Sequence, residues 1–172
     1  NILVFGGTVS KLSDLGNATQ LGNESRRWHN QGCCGDVRFA PIELFYGHFS
    51  TNWETRRFGA DLFMMGGIIT YLVTDFNFLE LIMANLPMDY HWSVSGVTFE
   101  QAAPHLHDAF SKGLKQVEAL IPEKIKKDLI EVIGQLSYPL PEKRGIPRNI
   151  YSSLPQYSLQ RYISIIDRLA KN

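Results

Sequence analysis

The alternation of apolar and polar residues separates a short strand-like beginning from a long helical remainder. The apolar run ILVF at 2–5, the Gly6-Gly7 pair and the alternating run TVSKLS at 8–13 together predict a β-hairpin. From Asn17 to Arg38 the sequence is polar, contains glycine and has no period. It predicts a loop of a length that compact domains usually keep only for function.

Beyond this loop the apolar spacing is helical. The run from Ala60 to Thr74 is apolar on nearly every face, which is typical of a helix in the middle of a core. Thr98 and Gln101 predict a capping box at the start of another helix. Further helices are predicted at 44–46, at 76–85, at 122–136 and after Tyr157 with Ser158 as its cap. The expected fold class is mainly α with a short N-terminal β-hairpin.

Composition limits the classes of function. With 172 residues, of which 44% are hydrophobic, the chain is the size of one domain with a packed core. Lys plus Arg equal Asp plus Glu at 17 each, so no overall field attracts nucleic acid or an acidic membrane. The longest apolar run, at 62–73, falls short of the ~20 residues that span a bilayer.

The cysteines and the start of the chain point to a reducing cytoplasm. Cys33 and Cys34 are adjacent, a spacing too strained for a useful disulfide and too sparse for a zinc site. The first residues do not form a charged-then-apolar leader. His105 and His107 would point to different faces of a helix, so a metal site there is not expected. Trp92, like the other two tryptophans, is interpreted as a core or loop anchor.

Five short motifs follow one another in a fixed order. They are NILV from Asn1, DLG at Asp14, Leu15 and Gly16, a partial A-P-E closure at Pro41, Ile42 and Glu43, D-x-x-x-x-G at Asp61 and Gly66, and PLPEKRGIP with Arg144. In this order they resemble the C-terminal lobe of a protein kinase over nearly the whole chain. Each motif is weak alone, and the specificity lies in their order.

The resemblance implies a protein-kinase-like C-lobe, part of a two-lobed α+β parent fold. Residues 1–172 would form this lobe without the N-lobe and the H-R-D segment, with an activation segment at about 14–43 and an added helical insert at about 88–121. It also implies an ATP-dependent kinase, with Ser/Thr specificity, that uses ATP and Mg²⁺ and acts on a protein substrate. The chain alone is expected to be inactive and to need the missing N-lobe segment as its partner.

The resemblance also implies residue roles. Asp14 and Asn1 would be catalytic, holding Mg²⁺ against ATP with oxygen ligands, and Gly16 would free the backbone after Asp14. Glu43 and Arg144 would form a buried ion pair. Structural alternatives remain for these residues. Asp14 also fits an ordinary turn, and Glu43 and Arg144 also fit two unrelated charges on the surface.

Asp61 would anchor the catalytic loop from near the start of its apolar helix, by accepting hydrogen bonds from backbone amides. This role is structural rather than catalytic.

Two departures from the family concern regulation and substrate. Asp36 follows Gly35 where Ser/Thr kinases usually carry threonine, which leaves the substrate hydroxyl class and full activity open. Thr19 and Ser25 are the hydroxyls available for activating phosphorylation. Both residues also fit a solvated loop in which their hydroxyl groups have no regulatory role.

Two other classes of function stay open. A pseudokinase or regulatory scaffold would keep Asp61, Glu43 and Arg144 for folding without turnover. An unrelated helical interaction domain would need none of the proposed roles. A small-molecule kinase shares the D-x-G aspartate but lacks the A-P-E-like closure, so it ranks below a protein kinase.

Overall fold

The structure, a computed structural model, is mainly helical and describes residues 2–6, 9–13, 18–22 and 36–171. Strands β1 (Ile2–Phe5) and β2 (Val9–Leu12) pair antiparallel, with Ile2 opposite Leu12. Gly6 follows β1 at φ +56°, a left-handed conformation that glycine adopts at little cost. The predicted hairpin is therefore confirmed.

Six α-helices follow within the described part of the chain. They are α1 (Ile42–Phe45), α2 (Trp53–Thr74), α3 (Phe78–Asn85), α4 (Phe99–Leu120), α5 (Glu123–Leu136) and α6 (Gln160–Ala170). Short 3-10 turns occur at Val37–Phe39, Met88–Tyr90, Pro141–Lys143 and Pro147–Asn149. The mainly α prediction is confirmed.

Helix α2 begins at Trp53, well before the predicted start at Ala60. The side chain of Asn52 caps it, because its Oδ1 accepts a hydrogen bond from the backbone N–H of Thr55 at 2.9 Å. The prediction missed this turn because the first residues, WETRRFG, are mostly polar. The helix ends at Thr74, as predicted, before Asp75 at φ +60°.

The capping box of α4 is confirmed. The Thr98 N–H donates to Oε1 of Gln101 at 2.9 Å, and the Gln101 N–H donates to Oγ1 of Thr98 at 3.3 Å. Helix α5 ends at Leu136, close to the prediction. Helix α6 begins at Gln160, and Leu159 rather than the predicted Ser158 occupies its N-cap position. The Ser158 hydroxyl accepts a hydrogen bond from the Gln160 N–H at 3.4 Å.

The core packs against two sides of α2 and leaves a third side exposed, so the prediction of a helix in the middle of the core is wrong for that side. Phe63 of α2 is buried with side chains of α3, α4 and α5, including Phe78, Leu106 and Ile133. A second cluster joins the other side of α2 to the end of α5 and to α6, through Leu62, Val132, Leu136, Ile146 and Tyr162. Burial of these large side chains contributes about 1.5–3 kcal/mol each.

Helix α2 lies very close to the end of α5 at Gly66. A Cβ added to Gly66 would lie 2.0 Å from Oγ of Ser137 and 3.1 Å from Cβ of Leu136. Among the described residues, the buried Ser137 hydroxyl has no hydrogen-bond partner. Glycine at position 66 is therefore what permits the two segments to approach this closely.

The opposite face of α2 is apolar and exposed. Phe58, Met65, Ile68 and Leu72 are 43%, 39%, 47% and 74% exposed. These positions recur at helical spacing and form one stripe, which also contains Asp61. Within the described ranges no single helix is both long and apolar enough to cross a membrane. Helices α2 and α3 meet the criteria of length and apolar composition only as a pair, and this pair is bent by 95°.

Candidate functional site

Glu43 and Arg144 form a buried ion pair at the centre of the fold. Nη1 of Arg144 donates to Oε1 of Glu43 at 2.7 Å, and Nη2 donates to Oε2 at 2.5 Å. Arg144 is 0% exposed and Glu43 is 5% exposed. The predicted contact between these two residues is confirmed, and the surface alternative for them is wrong.

The remaining donors of Arg144 are also satisfied. Its Nε donates to the carbonyl of Tyr138 at 2.7 Å, Nη1 also donates to the carbonyl of Gly59 at 3.2 Å, and Nη2 to that of Pro139 at 3.1 Å. The guanidinium carbon lies 4.7 Å from the centroid of the Phe63 ring. Because each N–H group finds an acceptor, the buried charge is compensated on all sides.

The backbone after Arg144 fixes the position of its side chain. Gly145 adopts φ +91°, and a Cβ there would lie 2.3 Å from the carbonyl oxygen of Gln156. The Gly145 N–H donates to the carbonyl of Gln135 at 2.9 Å, and the Ile146 N–H to that of Gln156 at 3.0 Å. The loop before α6 is thus fastened to α5, and through Arg144 to α1 and α2.

Asp36 organises the segment that leads into α1. Its carboxylate accepts from the Arg38 backbone N–H at 3.0 Å and from Nη2 of the Arg38 guanidinium at 2.6 Å. The hydrogen bonds from Arg38 lower the pKa of Asp36. The amide nitrogen of Asn77 donates to the carbonyl of Arg38 at 2.6 Å, which anchors the segment to the start of α3.

The predicted placement of Asp61 is wrong. Because α2 begins at Trp53, Asp61 lies in the third turn, beyond the N–H groups that a helix start leaves free. The carboxylate therefore cannot cap its own helix. Partial desolvation raises the pKa of Asp61, and the Arg57 guanidinium one turn earlier partly offsets this effect.

Several predicted site residues lie outside the described residues. They are Asn1, Asp14, Gly16 and Ser25. Thr19 is described and is partly buried. Among residues 2–6, 9–13, 18–22 and 36–171, no group of three or more His, Cys, Asp or Glu side chains could hold a metal ion. The magnesium site predicted at Asp14 and Asn1 stays a prediction.

Sequence reasoning missed an aromatic cluster that joins α1 to the 88–98 loop. The Trp92 ring stacks on Phe45 with centroids 4.5 Å apart, and on His91 at 4.0 Å. The Tyr46 hydroxyl donates to the carbonyl of Tyr90 at 2.7 Å, and burial raises the pKa of Tyr46 to about 12. The aromatic pairs at 45–46 and 90–92 were the available signal. Trp92 serves as a loop anchor, as predicted.

Comparison of the chain with protein-family models, with curated proteins and with solved structures found no match. Its functional interpretation therefore depends on its own motifs and geometry.

Proposed function

We propose that this chain is the C-lobe portion of an ATP-dependent protein kinase that transfers phosphate to hydroxyl groups of a protein substrate. The observation that carries this proposal is the buried pair of Glu43 and Arg144. These residues are 101 positions apart, and the motif resemblance singles them out as partners. Two unrelated charges rarely meet in a core with every donor satisfied.

The pair has a mechanical role in the proposed enzyme. Glu43 closes the proposed activation segment, and Arg144 fastens it to α2 and to the loop before α6. Substrate must be presented at a fixed place because phosphoryl transfer depends mainly on positioning and charge neutralisation. Asn77 extends this support to the carbonyl of Arg38, just before α1.

Asp36 is compatible with this role. Its negative charge is the departure from the Ser/Thr kinase pattern, and Arg38 offsets that charge through hydrogen bonds to both carboxylate oxygens. The carboxylate is therefore occupied by its own segment.

Asp14 and Asn1 are the proposed oxygen ligands for Mg²⁺, the ion that neutralises the phosphate oxygens of ATP. In a polypeptide that carries the preceding kinase segment, Asp14→Asn keeps the shape and removes the charge. Phosphate transfer from ATP to a Ser/Thr peptide mixture should fall by orders of magnitude, with an unchanged melting temperature. The matched control is Asp89→Asn, an exposed position in the 88–98 loop.

Each outcome decides between the functions. Retained transfer by Asp14→Asn at saturating Mg²⁺ contradicts the ligand assignment. Binding of ATP and Mg²⁺ without transfer by the unmodified polypeptide indicates a pseudokinase, and neither binding nor transfer indicates a helical interaction domain. Transfer by the 172-residue chain alone contradicts the expectation that it is inactive by itself.

A further inference from the structure

Helix α1 is too short to hold its own position. It consists of four residues, Ile42–Phe45, and isolated helices of fewer than about 12 residues are marginal in water. Its position in the fold therefore depends on contacts with other segments. One of these contacts is the ion pair of Glu43 and Arg144.

The aromatic cluster supplies a second set of contacts, at the C-terminal end of α1. The Phe45 ring stacks on Trp92 with centroids 4.5 Å apart and planes inclined by 29°. The Tyr46 hydroxyl donates to the Tyr90 carbonyl at 2.7 Å, and the Tyr46 ring meets Trp92 edge-on at 6.5 Å between centroids. Two separate segments thus hold α1, the loop before α6 and the 88–98 loop.

The turn after α1 also contacts the start of α4. The His48 ring lies 4.5 Å from the Phe99 ring between centroids, and Nδ1 of His48 lies 3.1 Å from Oε1 of Glu100. Phe99 is 5% exposed, so this contact reaches the core. The segment that follows α1 is therefore fixed on the capped end of a long helix.

The backbone of Glu43 joins the two sets of contacts. Its carbonyl accepts hydrogen bonds from the N–H groups of Tyr46 at 3.1 Å and His48 at 3.0 Å, while its carboxylate binds Arg144. A displacement of the turn at 46–48 therefore also displaces Glu43. Contacts that share a residue in this way are expected to be coupled in energy.

These aromatic contacts lie outside the five kinase motifs, and the 88–98 loop belongs to the insert that the resemblance does not explain. We propose that Tyr46 and Trp92 are positioning residues, through which the 88–98 loop holds the end of the proposed activation segment where the protein substrate binds. This inference rests on the proposed function, because only the kinase proposal assigns substrate presentation to that segment.

The first test measures amide hydrogen exchange in the 172-residue chain. Trp92→Leu removes the ring and keeps an apolar side chain, so the His48 N–H should exchange about tenfold faster. Trp92→Phe keeps a ring against Phe45 and should restore slow exchange. The Ser137 N–H, which donates to the Ile133 carbonyl at 2.9 Å, is the control and should change far less. An unchanged rate at His48, or an equal increase at Ser137, would overturn the coupling.

The second test measures phosphate transfer by a polypeptide that carries the preceding kinase segment. Tyr46→Phe removes the hydroxyl that binds the Tyr90 carbonyl and keeps the ring. The KM for a Ser/Thr peptide should rise at least about threefold with kcat and the KM for ATP unchanged, because the lost contact acts through substrate binding. Tyr151→Phe makes the same change at a residue that is 91% exposed, and it should leave all three constants unchanged.

The outcomes separate this inference from the proposed function. Transfer with an unchanged KM for the peptide in Tyr46→Phe overturns the positioning role and leaves the kinase proposal standing. A lower kcat with an unchanged KM indicates a purely structural role and also overturns it. No transfer by the unmodified polypeptide contradicts the proposed function, and the assignment of substrate binding fails with it, whereas the exchange rates still decide whether the 88–98 loop holds α1.

Discussion

The two faces of helix α2 differ sharply although both are rich in apolar residues. One face is buried and includes Leu62, Phe63 and Gly59, whose carbonyl accepts a hydrogen bond from Arg144. The other carries the exposed stripe of Phe58, Met65, Ile68 and Leu72. Apolar character alone therefore does not reveal which face of a helix its own chain covers.

The difference bears on the proposed function. The buried face accommodates a guanidinium because every donor has an acceptor, whereas the exposed face keeps large apolar side chains in water. Contiguous exposed stripes of this kind usually mark contact surfaces.

The largest expected effect concerns the buried charge. Arg144→Ala leaves the Glu43 carboxylate buried without its partner, so the free energy of unfolding should fall by about 3–5 kcal/mol. Chemical denaturation measures this change. Arg148→Ala, four residues later and exposed, is the matched control and should change stability by less than about 0.5 kcal/mol. Equal stability of the two variants would contradict the central role of the ion pair.

The next effect compares the two faces of α2 directly. Leu62 is 2% exposed and Leu72 is 74% exposed. Leu62→Ala opens a cavity in the core and should cost about 2–5 kcal/mol, whereas Leu72→Ala should cost less than about 0.5 kcal/mol. Thermal and urea denaturation distinguish them. Equal destabilisation by Leu72→Ala in the isolated chain would contradict the exposure of Leu72 and would indicate that other residues cover this face of α2.

The smallest effect depends on pH. Because desolvation raises the pKa of Asp61 in the folded state, the folded protein binds this proton more tightly than the unfolded chain does. Stability should therefore fall as pH rises through the folded pKa. Asp61→Asn removes this term and should give a small gain in stability at pH 7, which shrinks toward pH 4.

The control and the complete polypeptide sharpen this prediction. Asp108→Asn on the exposed face of α4 should show no such pH-dependent gain. If the preceding segment donates backbone hydrogen bonds to Asp61, as the resemblance implies, Asp61→Asn should become destabilising in the complete polypeptide. A gain of the same size in both contexts would argue against that anchoring role.

Local signals were sufficient for part of the fold. The hairpin and the capping box of Thr98 and Gln101 depend on neighbouring residues, and both were predicted from sequence. The start of α2 was missed because its first turns are polar and its boundary depends on the Asn52 cap. A short polar stretch has no apolar period to reveal it.

The site was predictable only through the motif resemblance. No spacing rule links Glu43 to Arg144 across 101 residues, and the carbonyls of Tyr138, Gly59 and Pro139 carry no sequence signal at all. The stacking of the Tyr90 and His105 rings likewise arises from tertiary packing. The types of the residues in such contacts do not indicate which other residues they contact.

The close approach at Gly66 has a consequence for how this sequence can diverge. A side chain at position 66 meets Oγ of Ser137 at 2.0 Å and Cβ of Leu136 at 3.1 Å, so a change there requires a different Ser137 rotamer or a smaller residue at 137, together with a small shift at the end of α5. Positions 66 and 137 should consequently vary together among related sequences, or not at all. A library that randomises both positions should recover folded members chiefly in combinations that keep the helix-to-helix distance.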